Sequence, residues 1–117
     1  MKALIIDDET DICYLLSKLL KQENLETTYV NTLSDATLAL NTNHPEIIFL
    51  DNHLPDGLGL NFLKFIKGCC PETKIVMITA HDMTADKQRA ISEGADSFIG
   101  KPFTRSIIHS TVEKLLN

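Results

Sequence analysis

Residues 47–51 read Ile-Ile-Phe-Leu-Asp, an apolar run that ends on an acidic residue. The run has no alternation of polar and apolar positions, which is typical of a strand covered on both faces in the centre of a parallel sheet. His-Pro precedes it at 44–45, and Leu-Pro-Asp-Gly, a loop-forming sequence, follows at 54–57. These residues predict a buried central strand with the carboxylate of Asp51 at its C-terminal end.

A pattern of strand followed by helix recurs on both sides of this run. Upstream, residues 2–6 form an apolar strand that precedes a helical pattern, and residues 26–30 form a more polar strand that suits a sheet edge. Ser34 is the predicted N-cap of the second helix. Downstream, strands are predicted at 75–78 and 97–99 and a helix at 82–93 that Gly94 ends. The last helix begins at the cap Thr104, and its predicted buried face carries Ile107, Ile108, Val112, Leu115 and Leu116.

Five strands that alternate with five helices predict a parallel sheet with helices on both faces, because right-handed crossovers place each helix against the sheet. The predicted fold class is therefore α/β, a doubly wound (βα)5 three-layer sandwich with a five-stranded parallel sheet. The chain has no repeat, linker or low-complexity tract. Its 117 residues suit one domain, 1–117.

The composition excludes several classes of protein. Hydrophobic residues make up 44% and charged residues 23%, which is typical of a globular chain. A net charge of −5 argues against direct binding of nucleic acid, which needs clustered Lys and Arg. The apolar runs are far shorter than the ~20 residues of a membrane span. No signal peptide is evident, and the odd number of cysteines lacks a C-x-x-C spacing, so we expect a cytoplasmic protein with no membrane contact.

Polar residues follow the predicted strands at the points where they end. Ligands of open α/β sheets bind beyond the carboxyl ends of the strands, and parallel strands bring these ends to one edge. The residues in these positions are Asp7, Asp8, Glu9, Asp51, Thr79 and Lys101. An acid after a strand often only caps the next helix, so Asp8 or Glu9 could have that role and Lys101 could be solvated. The coincidence of four strand ends favours a functional site.

Several carboxylates in one cleft repel one another, so they need a cation or a raised pKa. Oxygen ligands without His or Cys favour a hard ion, and a site with few carboxylates suits Mg²⁺ better than a Ca²⁺ cage. Lys101 and the hydroxyl of Thr79 would add groups that bind phosphate. The strand ends therefore predict a Mg²⁺ site that can accept phosphate.

Asp7-Asp8, Asp51 with Leu-Pro-Asp-Gly at 54–57, Thr79-Ala80 and Lys101-Pro102-Phe103 together resemble the receiver domain of two-component response regulators. The resemblance extends over almost the whole chain, and the order and placement of the motifs are specific. It implies the flavodoxin-like, CheY-like form of the fold. It also implies that Asp51 accepts a phosphoryl group from a sensor histidine kinase or a histidine phosphotransfer protein.

The same resemblance assigns the other site residues. Asp7, Asp8, Asp51 and the backbone carbonyl of His53 would hold Mg²⁺. Thr79, Ala80 and Lys101 would surround the phosphoryl group, Phe98 would turn inward as a switch, and Pro102 would follow a cis peptide bond. The domain would not be an enzyme beyond its own phosphorylation and dephosphorylation, and it would signal through the fourth helix, fifth strand and fifth helix.

The output would be a downstream protein target or a fused effector domain, and a homodimer is possible. Two features depart from the common pattern. Asn52 is polar where the residue after the phosphoacceptor is usually apolar, and His53 and His81 flank the site. These histidines are either solvated or tune the hydrolysis of the acyl phosphate.

Other protein families fit the sequence less well. Haloacid-dehalogenase-like phosphatases need a D-x-D motif on the first strand, which residues 7–9 do not supply. A flavodoxin-like FMN carrier needs a phosphate loop where this chain has acids that repel phosphate. The alternative that stays open is a pseudo-receiver that is not phosphorylated and serves only as an interaction module, against which the intact acids, Thr79 and Lys101 argue.

Overall fold

The computed structural model describes residues 1–80 and 84–117, without the side chains of 84 and 85. His81 and the predicted helix start at Asp82 lie outside the described residues. Within these residues the sheet has five parallel strands: β1 (Lys2–Ile6), β2 (Glu26–Val30), β3 (Ile47–Asp51), β4 (Lys74–Thr79) and β5 (Ser97–Gly100). Their order is β2-β1-β3-β4-β5, so the polar strand β2 is an edge, as predicted, and β3 is the centre.

The described part of the chain contains the helices α1 (Thr10–Lys21), α2 (Leu33–Thr42), α3 (Leu63–Cys69), α4 (Thr84–Ser92) and α5 (Arg105–Leu116). Between β3 and α3 lie a short antiparallel hairpin, His53–Leu54 with Gly57–Leu58, and a 3₁₀ turn, Gly59–Phe62. The predicted alternation of strand and helix is confirmed. None of these helices combines the length and the hydropathy that crossing a bilayer requires.

Alternate residues of the central strands point to opposite faces of the sheet, and each face has its own core. Leu4 and Ile48 belong to the cluster that includes residues of α2, α3 and α4. Ile5 and Phe49 belong to the cluster with residues of α1 and α5. All five residues of β3 are buried, because helices cover it on both sides. The two cores therefore hold the central strands whose ends form one edge of the sheet.

The N-cap of α2 differs from the prediction. Thr32, not Ser34, caps the helix, and its side chain accepts a hydrogen bond from Asp35 N at 3.0 Å. Ser34 is already in the first turn, where its amide donates to Asp56 Oδ2 at 3.0 Å. The prediction was wrong because the carboxylate of Asp56, in a distant loop, accepts a hydrogen bond from the Ser34 amide. Ser34 can therefore lie in the first turn, and the helix begins one residue before it, at Leu33. The cap of α5 is confirmed, since Thr104 accepts a hydrogen bond from Ile107 N at 3.2 Å.

The buried face of α5 is narrower than predicted. Ile108 and Val112, one helical turn apart, are buried against the sheet. Leu115 and Leu116 are half-buried beside them, but Ile107 is 46% exposed. Adjacent helical positions point in directions about 100° apart, and Ile108 lies on the side that faces the sheet, which leaves Ile107 towards solvent.

Candidate functional site

The candidate site lies at the carboxyl ends of β1 and β3. The strand order reverses its direction between these two strands, which makes a crevice beyond their ends. Ile6, the last residue of β1, is paired with Leu50, so Asp7 and Asp51 follow side by side. Asp51 is the last residue of β3 rather than the first of the loop. The register of the sheet thus places the two carboxylates at the same depth.

Four acidic residues converge in this crevice. Asp7, Asp8, Glu9 and Asp51 each offer one carboxylate oxygen, and these atoms all lie within 4.8 Å of one another. Asp7 is 2% exposed and Asp51 5% exposed, whereas Asp8 and Glu9 are open to solvent. The cluster therefore has a buried base formed by two acids and an accessible rim formed by the other two.

The backbone of Asp7 is fixed from several sides. Its carbonyl oxygen accepts hydrogen bonds from Asn31 Nδ2 at 2.8 Å and from Cys13 Sγ at 3.3 Å, and its amide donates to Val30 O at 3.1 Å. Burial, followed by the charge of Asp7, raises the pKa of Cys13 to about 11, so this group is a thiol. Sequence analysis missed Asn31, although it follows β2 as the other site residues follow their strands.

Lys101 is the positive charge of the site. Its Nζ lies 3.0 Å from Asp7 Oδ2, 3.1 Å from Glu9 Oε1 and 3.7 Å from Asp51 Oδ1, and only 9% of its side chain is exposed. Lys101 N donates to Thr79 O at 2.8 Å, which joins the ends of β4 and β5. The peptide bond to Pro102 is cis, the isomer that the resemblance implies. Lys101 is therefore not a solvated lysine, and Glu9 contacts it instead of capping α1 with its side chain.

The four acids of the crevice outnumber the positive charge of Lys101, and the pKa values of the site reflect this. Burial, and then repulsion by Asp7, raises the pKa of Asp51 from 3.8 to about 6, although Lys101 acts in the opposite direction. Burial alone would lower the pKa of Lys101, but its hydrogen bond to Asp7 and the charge of Asp51 outweigh burial and raise it. The donors are all oxygen atoms in a partly open crevice, and this arrangement fits a hard divalent cation.

The other predicted site residues lie around this cluster. Thr79 is buried at the end of β4, and Ala80 is exposed just after it. His53 is exposed in the hairpin after β3. Phe98 is half-buried and packs against the core that α2, α3 and α4 cover. Asn52, the polar departure from the pattern, is 5% exposed.

Comparison with known proteins shows the family. The chain matches the response regulator receiver domain over residues 3–113. It is 32% identical over 105 residues to the phosphate regulon transcriptional regulatory protein PhoB of Klebsiella pneumoniae, a match that covers 88% of this chain and 46% of that protein. The chain belongs to the receiver domains of two-component response regulators. It spans less than half the length of this relative.

Solved structures agree on the fold. The receiver domain of NtrX from Brucella abortus is 35% identical, with a TM-score of 0.91 over 97% of each chain. The beryllofluoride-activated NtrC4 receiver domain dimer is 32% identical, with a TM-score of 0.93 over 97% of this chain and 94% of that one. The predicted doubly wound, CheY-like sandwich is thus confirmed.

Proposed function

We propose that this receiver domain is switched by Mg²⁺-dependent transfer of a phosphoryl group to Asp51. The observation that carries the proposal is the position of Asp51, a residue 5% exposed at the base of an acidic crevice with its carboxylate 3.7 Å from Lys101 Nζ. An acid that served only the fold would gain nothing from burial beside a second carboxylate, Asp7, two effects that together raise its pKa to about 6. Asp7 would help to hold a cation, and Lys101 would bind a phosphoryl oxygen, if these groups enter the crevice.

Asp7, Asp8, Asp51 and the carbonyl of His53 would hold the metal. Bound Mg²⁺ supplies positive charge against the phosphoryl oxygens and neutralises the repulsion among the acids. Lys101 already lies among these acids, so it is placed to donate to a phosphoryl oxygen once its carboxylate partners contact a cation. Thr79 would donate a second hydrogen bond, and the small side chain of Ala80 would leave room for the group.

Asp51 is the nucleophile of this reaction. One of its carboxylate oxygens attacks the phosphorus of a phosphohistidine, and the O–P bond forms as the P–N bond breaks. The electron pair of the broken bond stays on the imidazole nitrogen of the donor. A pKa of about 6 leaves most Asp51 ionised at neutral pH, so the nucleophile needs no separate base. The protein contributes position and charge, which is what phosphoryl transfer requires.

The partners follow from this chemistry. The donor would be a sensor histidine kinase or a histidine phosphotransfer protein, and phosphorylation would bias the surface of α4, β5 and α5, with Phe98 as a switch residue. The output would be a separate protein or a fused effector domain. A fused effector is favoured by the relative that is a transcriptional regulator, of which this chain spans 46%. The NtrC4 receiver is a dimer, which supports homodimerisation as one form of output.

Acetyl phosphate tests the proposal directly. We expect intact-protein mass spectrometry to detect one added phosphoryl group on the wild type with Mg²⁺, none with EDTA, and none on Asp51→Asn. Asp56→Asn is the matched control, because it removes an exposed carboxylate from the loop that follows Asp51, and it should be labelled like the wild type. A wild type that takes up no label would support the pseudo-receiver alternative. Label that persists on Asp51→Asn would move the acceptor to another residue.

A further inference from the structure

Asn52 lies between Asp51 and His53, two of the proposed metal ligands, and it binds the start of the next turn with two oxygen atoms. Its side-chain Oδ1 accepts a hydrogen bond from Leu60 N at 3.0 Å. Its backbone carbonyl accepts one from Gly59 N at 2.8 Å. Asn52 as a whole is 5% exposed, so solvent does not compete for these contacts.

These contacts close the base of the hairpin that carries His53. His53 and Leu54 pair with Leu58 and Gly57, and Asn52 joins the two ends of this segment where it leaves β3. Gly59 also lies directly against the backbone of Asp51, since a Cβ at this position would collide with the Asp51 carbonyl oxygen. The hairpin therefore has little freedom to shift relative to Asp51.

We propose that Asn52 is a positioning residue, which fixes the His53 carbonyl relative to the Asp51 carboxylate and so sets the affinity of the crevice for Mg²⁺. The inference rests on the proposed function, because it takes Asp51 and His53 as ligands. An apolar side chain at position 52 cannot accept the hydrogen bond that the Leu60 amide donates. The amide would then be buried without this partner. The base of the hairpin would have to open, and the His53 carbonyl would move with it.

Groups that orient metal ligands typically change metal affinity by 10–100-fold when they are replaced. Asn52→Leu is the sharpest test, because Leu has nearly the same shape as Asn and lacks the acceptor oxygen. We expect isothermal titration calorimetry to show Mg²⁺ binding about 10-fold weaker than in the wild type. Asn52→Asp keeps an oxygen in the position of Oδ1, and we expect it to bind Mg²⁺ at least as well as the wild type.

Thr73→Val is the matched control for a loss of folding free energy. Thr73 is 3% exposed, and its hydroxyl donates to Pro45 O at 2.7 Å near the opposite ends of the strands. Its replacement also removes one buried hydrogen bond but should leave Mg²⁺ affinity unchanged. Thermal unfolding of each variant checks that it is folded, and Asn52→Ala serves as a second variant if the leucine side chain does not fit.

The outcomes separate the two proposals. If the wild type binds Mg²⁺, Asp51→Asn does not, and Asn52→Leu binds like the wild type, the positioning role is overturned while the metal site stands. Equal weakening in Thr73→Val would also overturn it, because the effect would then be one of stability alone. If the wild type and Asp51→Asn bind equally, the proposed metal site fails, and the inference about Asn52 fails with it.

Discussion

Lys101 Nζ and Asp7 Oδ2 form an ion pair of 3.0 Å in which both side chains are less than a tenth exposed. The two residues are far apart in the sequence: Asp7 follows β1 and Lys101 follows β5. The parallel sheet brings them together. Burial and then the charge of Asp7 raise the pKa of Asp51 to about 6, and the charge of Lys101 acts in the opposite direction. Lys101 therefore links the stability of the fold to the ionisation of Asp51.

Lys101→Met should destabilise the metal-free protein. The substitution leaves Asp7 and Asp51 buried without their cation, and we expect a loss of about 2 kcal/mol in the free energy of unfolding, less than for a fully buried pair because the crevice is open to water. Urea denaturation in EDTA measures this loss. Lys114→Met, at an exposed position of α5, should change stability by less than ~0.5 kcal/mol. Equal effects of the two substitutions would contradict the role of the ion pair.

Asp51→Asn should stabilise the metal-free protein at neutral pH. The pKa of Asp51 is raised from 3.8 to about 6, so the folded state binds more protons between these values and the stability of the wild type falls as pH rises through them. The variant avoids this loss, and we expect it to be about 1–2 kcal/mol more stable above pH ~6, less than the full shift allows because water reaches the crevice.

Denaturation in EDTA across pH checks this prediction. The advantage of Asp51→Asn should vanish below pH 3.8, where both side chains are neutral. Excess Mg²⁺ should stabilise the wild type more than the variant, since a ligand of the folded state stabilises it by mass action. Equal stability of the two proteins at pH 8 in EDTA would mean that the crevice does not destabilise the ionised form of Asp51.

Asp56→Asn should lower the melting temperature at neutral pH. Hydrogen bonds from Leu33 N at 2.9 Å and Ser34 N at 3.0 Å lower the pKa of Asp56 below 3.8, so its ionised form stabilises the start of α2. This contribution is present above pH 3.8 and is lost as pH falls through the lowered pKa. Melting curves at several pH values should therefore converge for the two proteins in acid. Glu72→Gln, at an exposed loop position, should melt like the wild type at every pH, so its curves have no difference that could disappear in acid.

Gly59→Ala and Gly68→Ala should have opposite effects on stability. An added Cβ at Gly59 would collide with the backbone of Asp51, and overpacking of this kind costs about 1–3 kcal/mol. At Gly68, within α3, no atom other than its chain neighbours and the backbone of its own helix lies within 4 Å of an added Cβ, and alanine should stabilise the helix by about 0.5–1 kcal/mol. Urea denaturation measures both changes. A neutral Gly59→Ala would show that the turn can shift away from Asp51.

Much of the fold was predictable because its signals are local. The unbroken apolar run of β3 indicated a central strand, and the polar character of β2 indicated an edge. Thr104 was predictable as a cap because its bond to Ile107 N spans one helical turn. Ser34 was mispredicted because its amide is satisfied by Asp56 from another part of the chain. Local patterns cannot show such a partner.

The sequence by itself determined which residues lie at the strand ends, and thus the acids Asp7 and Asp51 as candidates, because parallel strands always bring these ends to one edge. Only the tertiary structure decided how Lys101 divides its contacts between these acids and how Asn52 holds the start of the next turn. Those contacts depend on distances of a few ångströms between segments far apart in the chain. Such distances are set by packing of the two cores against the sheet, which residue patterns do not specify.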